Sequence, residues 1–260
     1  MSTKQIQGKL WSVAPDNWSR YFEPFFLPVY KKVFEQVKLG ADTLLLDAGC
    51  GAGLFSHLAI RKGAQVIGID AAAGLLELAR ERNPHNNFLE EDLEAMPFGD
   101  DSFDVVTGFN SFQYAGDFKK AVREAMRVLK DHGKLVLAIW DKPEHSEATE
   151  VLKAISTLLP PPPAGTPGPF ALSEDGRMES IFQELNLKMV YKTQVTCPIL
   201  YAKLSEGVKS FMGTGPAAAA CNSNDEKLVK DTIAQALRPF RLTEDMYHLQ
   251  NQFLLFIAEK

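Results

Sequence analysis

Three acidic residues, each at the end of an apolar run, and one cluster of glycines carry the residue types a nucleoside-like ligand needs. Leu44-Leu45-Leu46-Asp47-Ala48-Gly49-Cys50-Gly51-Ala52-Gly53 sets three glycines between a buried strand and a helix start. Glycines there let the backbone turn tightly and let a ligand approach the main chain with no Cβ in the way. Asp70 follows Val66-Ile67-Gly68-Ile69 and can accept hydrogen bonds from both ribose hydroxyls; the plainer reading is a cap for the helix beginning near Ala72. Asp92 follows Asn87-Phe88-Leu89-Glu90-Glu91 and can pair with an exocyclic amino group such as that of adenine, with Leu93, Met96 and Phe98 as apolar walls. Glu90, Glu91 and Glu94 read as a solvated charged surface. Dinucleotide sites share this plan, but the position where G-x-G-x-x-G needs Gly or Ala is Leu54, and Asp47 suits a cationic amine better than a pyrophosphate.

These residues must be held by an open α/β sheet. Short apolar runs at 43–47, 64–70, 87–92, 103–109 and 134–140 have the composition of strands buried on both faces. They alternate with helical patterns at 53–62, 72–82 and 118–130, the last with Asp117 as its N-cap. Alternation of this kind predicts a doubly wound, mostly parallel sheet built from right-handed crossovers. Residues 1–40 are expected to form a helical cap rich in aromatics (Trp11, Trp18, Tyr21, Phe22, Phe25, Phe26, Tyr30), with an amphipathic helix at 29–38 ending at Gly40. Residues 41–260 are the main domain, carrying a helical insert at about 201–240. A helix from Ser173 to Leu185, one strand over 187–201 and a last strand over 247–258 complete the expectation, and 217–220 stays unassigned. Pro160 to Pro163 and 165–169 predict a stiff exposed loop, with an SH3-type ligand as the lesser reading.

Composition narrows the partners. The chain has 260 residues, 45% of them hydrophobic, and a formal net charge of -5 with no basic cluster, which argues against nucleic acid as the partner. No apolar run approaches the roughly 20 residues of a membrane span, and residues 1–9 are polar, so a cytoplasmic setting is expected. Cys50, Cys197 and Cys221 have no spacing for zinc or a disulfide framework, so no metal is expected.

Taken in order, Leu46 to Gly53, Asp70, Asp92-Leu93-Glu94-Ala95-Met96-Pro97-Phe98, Phe103-Asp104-Val105-Val106 and Val128-Leu129-Lys130-Asp131-His132-Gly133-Lys134-Leu135 closely resemble the class I S-adenosylmethionine-dependent methyltransferases. Within that class the chain looks like the branch of the methyltransferase type 11 domain that includes the ubiquinone and menaquinone biosynthesis methyltransferases and many small-molecule methyltransferases. His132 departs from the family's usual proline, in a turn far from the site. The resemblance implies a Rossmann-like seven-stranded sheet with an antiparallel last strand. It implies S-adenosylmethionine as cofactor, S-adenosylhomocysteine as product and a small-molecule methyl acceptor. By the same likeness Asp47, Gly49, Cys50, Gly51 and Gly53 would meet the methionine part, Asp70 and Ala71 the ribose, and Asp92 and Leu93 the adenine.

The acceptor side starts at Phe109-Asn110-Ser111-Phe112-Gln113-Tyr114, where the fourth strand ends at the ligand-binding edge of the sheet. Phe109 and Asn110 are expected against the cofactor, and Gln113 and Tyr114 against the acceptor. The segment lacks the two prolines that base-modifying amino methylases carry here. Cys197-Pro198 reverses the order of a cytosine-methylase nucleophile, so Cys197 reads as a strand residue. If the acceptor needs a base, Tyr21, Tyr114, Asp141 and His145 are the candidates by position, while His57 reads as packing or surface. Two other functions fit parts of the pattern: a non-enzymatic scaffold that binds an adenosyl ligand, and a nicotinamide-dependent oxidoreductase.

Overall fold

The computed structural model describes residues 2–161 and 170–260. The loop expected at 165–169, and the second half of the proline run before it, lie outside those residues. The N-terminal cap is helical throughout: α1 Lys4–Trp11, α2 Pro15–Asn17, a π turn Trp18–Phe22, a 3-10 turn Glu23–Phe26 and α3 Leu27–Gln36. Then β1 Leu44–Ala48, α4 Leu54–Arg61, β2 Gln65–Asp70, α5 Ala73–Arg82 and β3 Asn87–Glu90 follow one another, and β4 Phe103–Phe109, α6 Phe118–Val128 and β5 Leu129–Trp140 continue the alternation. Asp117 caps α6 as expected, accepting from the Lys120 amide at 3.0 Å.

After β5 come α7 Ala148–Ser156, α8 Arg177–Glu184, β6 Lys188–Thr196 and β7 Ile199–Tyr201. Helices α9 Leu204–Met212, α10 Gly215–Cys221 and α11 Glu226–Leu237 form the insert, and β8 Tyr247–Leu249 and β9 Gln252–Glu259 close the chain. The seven-stranded sheet runs β3-β2-β1-β4-β5-β9-β6, with β9 antiparallel to both neighbours. Strand β9 is buried on both faces: Phe253, Leu255 and Ile257 enter one core, and Leu254, Phe256 and Ala258 the other. Strand β5 divides in the same way, Val136 and Ala138 to one side, Leu135 and Leu137 to the other. That two-sided burial is why these runs carry no polar alternation.

Four expectations need correcting. The run 187–201 is two strands, because Pro198 has no N–H for the ladder; Cys197 lies in the break, buried, its amide donating to Asn251 O at 2.8 Å. The run 247–258 also breaks, at Asn251, whose side chain accepts from the Ala148 amide and donates to Leu249 O. The freed pieces β7 and β8 pair with each other and form a ribbon at the base of the insert. Helix α8 starts at Arg177, not Ser173: Gly176 at φ 75° is its N-cap, and Ser173 Oγ donates backward to Phe170 O. The unassigned stretch 217–220 is the body of α10.

Candidate functional site

The C-terminal ends of β1, β2 and β4 meet where the strand order reverses, the place where open α/β sheets leave a crevice. A cleft opens there. Gly49, Gly51, Asp70, Ala71, Asp92, Leu93, Phe109, Asn110 and Tyr114 line it, so most of the residues singled out from the sequence converge on one site. Gly49 at φ 82° and Gly51 at φ 54° occupy backbone conformations that other residues enter only with strain. The Gly49 and Cys50 amides both donate to Ile69 O, at 2.7 and 3.0 Å, which pins the loop to the end of β2.

Asp70 serves as the helix cap and also lines the cleft. Oδ1 accepts from the Ala72 amide and Oδ2 from the Gly51 amide, each at 2.9 Å, yet the side chain still faces the cleft. Burial pushes its carboxyl above the usual range, against the lowering pull of those amides. Each oxygen keeps a lone pair for a ligand hydroxyl. Asp92 is similarly engaged, Oδ1 with the Glu94 amide and Oδ2 with the Ser2 hydroxyl.

Other members of the loop lie beneath the cleft. Asp47 is 1% exposed and accepts from Ser56 Oγ at 2.6 Å and Thr107 Oγ1 at 3.0 Å, tying β1 to α4 and β4. Gly53 is the left-handed N-cap of α4, where a Cβ would stand 3.0 Å from Ala79 Cβ. Cys50 turns its sulfur toward Phe88 and Gly68, and burial holds its thiol well above the usual value.

Burial raises the Asp47 carboxyl from 3.8 to about 7. A pKa raised on folding contributes stability that is present below the unfolded value and lost as pH rises through the folded one. Wild type should therefore lose stability relative to Asp47→Asn as pH rises from 3.8 to about 7, the window those values span. Urea unfolding of both proteins across that window checks this; parallel profiles would contradict it.

The cap closes over the cleft in a way the polar segment 1–9 does not announce. Thr3, Lys4, Gln7 and Trp11 join the lining. Thr3 Oγ1 donates to Tyr114 O, and Lys4 Nζ donates to Glu90 O at 2.9 Å and faces Glu91 at 3.8 Å. Gly8 rests on Ala71, since a Cβ there would be 2.2 Å from Ala71 O. Trp11 meets Trp18 and Tyr114 edge-on, at 5.0 and 5.5 Å.

A buried ion pair anchors this cap from behind. Arg82 Nη1 donates to Glu23 Oε2 and Ala52 O, both at 2.7 Å, and Nη2 donates to Ser19 Oγ at 2.8 Å. Glu23 Oε1 accepts from the Leu54 amide at 3.1 Å, which places a carboxylate at the N-terminus of α4. Neither charge was identifiable as functional from the sequence, because the partners lie 59 residues apart.

The acceptor side is a mixed result. Asn110 holds φ 52° at the end of β4, and Gln113 Nε2 donates to its Oδ1. Gln113 stays behind the cleft wall, with Oε1 buried and unpartnered; Trp18 Nε1 is the other buried polar atom in that condition among the described residues. Burial pushes the Tyr114 phenol up to about 12. Tyr21 lies outside the cleft, its ring facing Arg20 and Lys209. His145 Nδ1 pairs with Asp141 Oδ2 at 2.8 Å in a separate recess shared with Gln194 and Lys192. His57 bonds Asn83, consistent with packing. Glu94 is not surface: it is 4% exposed and accepts from the Gly116 and Asp117 amides. Met96 and Phe98 pack in the core on the α6 side of the sheet instead of walling the cleft.

Sheet order, glycine loop and strand-end acids define a Rossmann-like protein with a nucleoside-sized crevice at its switch point. Residues 46–137 match the family model described as a methyltransferase domain. The chain is 36% identical over 99 residues to a demethylmenaquinone methyltransferase of Renibacterium salmoninarum, covering 38% of this chain and 42% of that protein. It thus spans less than half the length of that relative. A malonyl-[acyl-carrier protein] O-methyltransferase of Buchnera aphidicola is 32% identical over 215 residues, covering 81% of this chain and 80% of that one. The crystal structure of the YcgJ protein from Bacillus subtilis shares the fold at a TM-score of 0.58 and 23% identity, over 89% of this chain and 97% of that one. The chain belongs to the class I S-adenosylmethionine-dependent methyltransferases.

Proposed function

We propose that this protein transfers a methyl group from S-adenosylmethionine to a small-molecule acceptor. The observation that carries the reading is the convergence of Gly49, Gly51, Asp70, Asp92 and Leu93 on one cleft. The residues fit the cofactor: two bare glycines leave room for its tail, Asp70 has free lone pairs for ribose hydroxyls, and Asp92 with Leu93 suits an adenine edge. A nicotinamide dinucleotide fits less well, because Glu23 already fills the α4 N-terminus where a pyrophosphate would bind.

The bound cofactor supplies a methyl group already activated on a sulfonium. The chain's own part is then to hold the acceptor in line and to exclude water. Phe109, Trp11 and Tyr114 wall the site, and Asn110 is one of its neutral polar groups. Tyr114, with its phenol raised to about 12, stays protonated at neutral pH and serves as a hydrogen-bonding wall, not a base. His145 and Asp141, in their separate recess, take no part. We read residues 1–40 as a cap on a domain of 41–260, with the insert at about 201–240 packed against that cap: Gly213 and Gly215 there admit Trp18 and Trp11 at close range.

No described helix is long and apolar enough to cross a membrane. With a net charge of -5, we take the acceptor to be small and not a nucleic acid, and the setting to be the cytoplasm. Titration calorimetry against S-adenosylmethionine, S-adenosylhomocysteine and NAD tests the cofactor; failure to bind either adenosyl ligand would sink the proposal. Asp70→Ala should weaken adenosyl binding by about 1–3 kcal/mol, the cost of stranding hydrogen-bond partners. Unchanged affinity would reduce Asp70 to a helix cap. Turnover on a panel of quinone-like, carboxylate and amine acceptors with labelled cofactor then identifies the acceptor class, and binding without any turnover would favour a scaffold.

A further inference from the structure

Trp18 is the one aromatic residue of the cap whose polar atom is left without a partner inside the cleft. Its ring is fixed on several sides, stacked on Phe22 at 4.8 Å, edge-on to Trp11 at 5.0 Å and tilted against Phe26 at 6.2 Å. The residue is 9% exposed, lines the cleft, and its Nε1–H is buried with no hydrogen-bond partner. Nε1 stands 3.3 Å from where a Cβ on Gly51 would be, so the N–H sits directly over the glycine loop. A side chain held this firmly cannot turn to find another acceptor. Native structures seldom leave a buried donor unpaired, and one facing a ligand cleft is best explained by a ligand acceptor.

The chemistry of that acceptor is constrained. Indole N–H is a donor and never an acceptor. On the reading proposed above, the ligand is an adenosyl sulfonium with an amino-acid tail, its adenosine end toward Asp70 and Asp92 and its tail toward the glycine loop. The tail ends in an ammonium, which can only donate, and a carboxylate, which can only accept. Only the carboxylate is complementary to Trp18. The neighbouring Glu23 carboxylate, 3.9 Å from the same Gly51 point, does not prevent this, because Arg82 neutralises it at 2.7 Å.

We propose that the Trp18 indole N–H binds the carboxylate of the cofactor's amino-acid tail, making Trp18 a specificity residue that distinguishes tailed adenosyl ligands from those lacking the carboxylate. The proposal rests on the cofactor reading and is tested separately from it. Trp18→Phe keeps an aromatic ring for Phe22 and Trp11 and removes the donor together with part of the indole's bulk, for which the ligand lacking the carboxylate is the control. Binding of S-adenosylmethionine and of decarboxylated S-adenosylmethionine is measured on both proteins. Wild type should prefer the carboxylated ligand by about 10-fold or more, the scale of a hydrogen bond to a charged group, and Trp18→Phe should lose that preference by weakening the carboxylated ligand alone.

Equal weakening of both ligands in Trp18→Phe, or no preference in wild type, overturns the role of Trp18. Failure of wild type to bind either ligand overturns the cofactor reading instead. Should Trp18→Phe not fold, the indole N–H resonances of wild type decide: Trp18 should shift and gain exchange protection with S-adenosylmethionine but not with the decarboxylated form. The same response to both ligands rejects the proposal.

Discussion

Gly49→Ala is expected to lose about 2–5 kcal/mol of stability and all measurable affinity for S-adenosylhomocysteine. Two costs add. A residue with a Cβ at φ 82° incurs the left-handed penalty of about 1–2 kcal/mol. The new methyl would also stand 2.2 Å from Ser111 Cβ and 2.7 Å from Ser111 Oγ, and overpacking of a tight site typically costs about 1–3 kcal/mol. Ser111 cannot easily step aside, because its hydroxyl donates to Ala48 O at 2.8 Å, in the strand below the loop. Relaxation must then move either the end of β1 or the turn after β4, and both line the cleft. Chemical denaturation and calorimetry of the variant measure the two effects. Adding Ser111→Gly should restore the steric part and leave the backbone part. A variant within about 0.5 kcal/mol of wild type, the range of an ordinary surface change, would show that the loop has slack the structure denies it.

Arg82→Ala should cost about 3–5 kcal/mol, because removing one partner of a buried pair leaves the other charge uncompensated. Glu23 is 3% exposed, and burial already raises its carboxyl despite the Arg82 guanidinium beside it. Without the guanidinium its folded-state pKa rises further. The penalty is therefore greatest at neutral pH, where ionisation is forced, and fades as pH falls toward the ordinary carboxylate range and Glu23 is neutral in both states. Adding Glu23→Gln should recover much of the loss at neutral pH, since it removes the stranded charge while keeping a group for the Leu54 amide. A pH-independent deficit, or no rescue by Glu23→Gln, would assign the damage to the freed Ala52 carbonyl and Ser19 hydroxyl instead. Because Glu23 belongs to the cap and Leu54 to the helix after the glycine loop, the variant should also weaken adenosyl binding.

Much of the cleft lining was legible from local chemistry. Glycines at 49 and 51 mark left-handed turns, Asp70 ends β2, and Asp92 follows the short β3 by two residues. Asp47, Cys50 and Gly53 shared the motif yet point away from the cleft, because spacing along a loop does not say which side of it faces the ligand. The opposite error occurred at Glu94, where a charged run looked solvated until the turn before α6 supplied its amides. The breaks at Pro198 and Asn251 were likewise concealed by continuous apolar runs, although Pro198 itself was a visible signal.

By itself, then, the sequence determined the sheet, its doubly wound order and the glycine loop that lines the cleft, since strand burial, helix caps and left-handed glycines act within a few residues of one another. Tertiary structure alone decided what covers that loop: α1 over Ala71, Trp18 above Gly51, and Glu23 paired with Arg82 across 59 residues. The physical reason is that these contacts join segments whose own patterns are satisfied elsewhere. A polar helix, an aromatic run and a charged helix end each have an ordinary local reading, and only packing shows that they meet over one cleft.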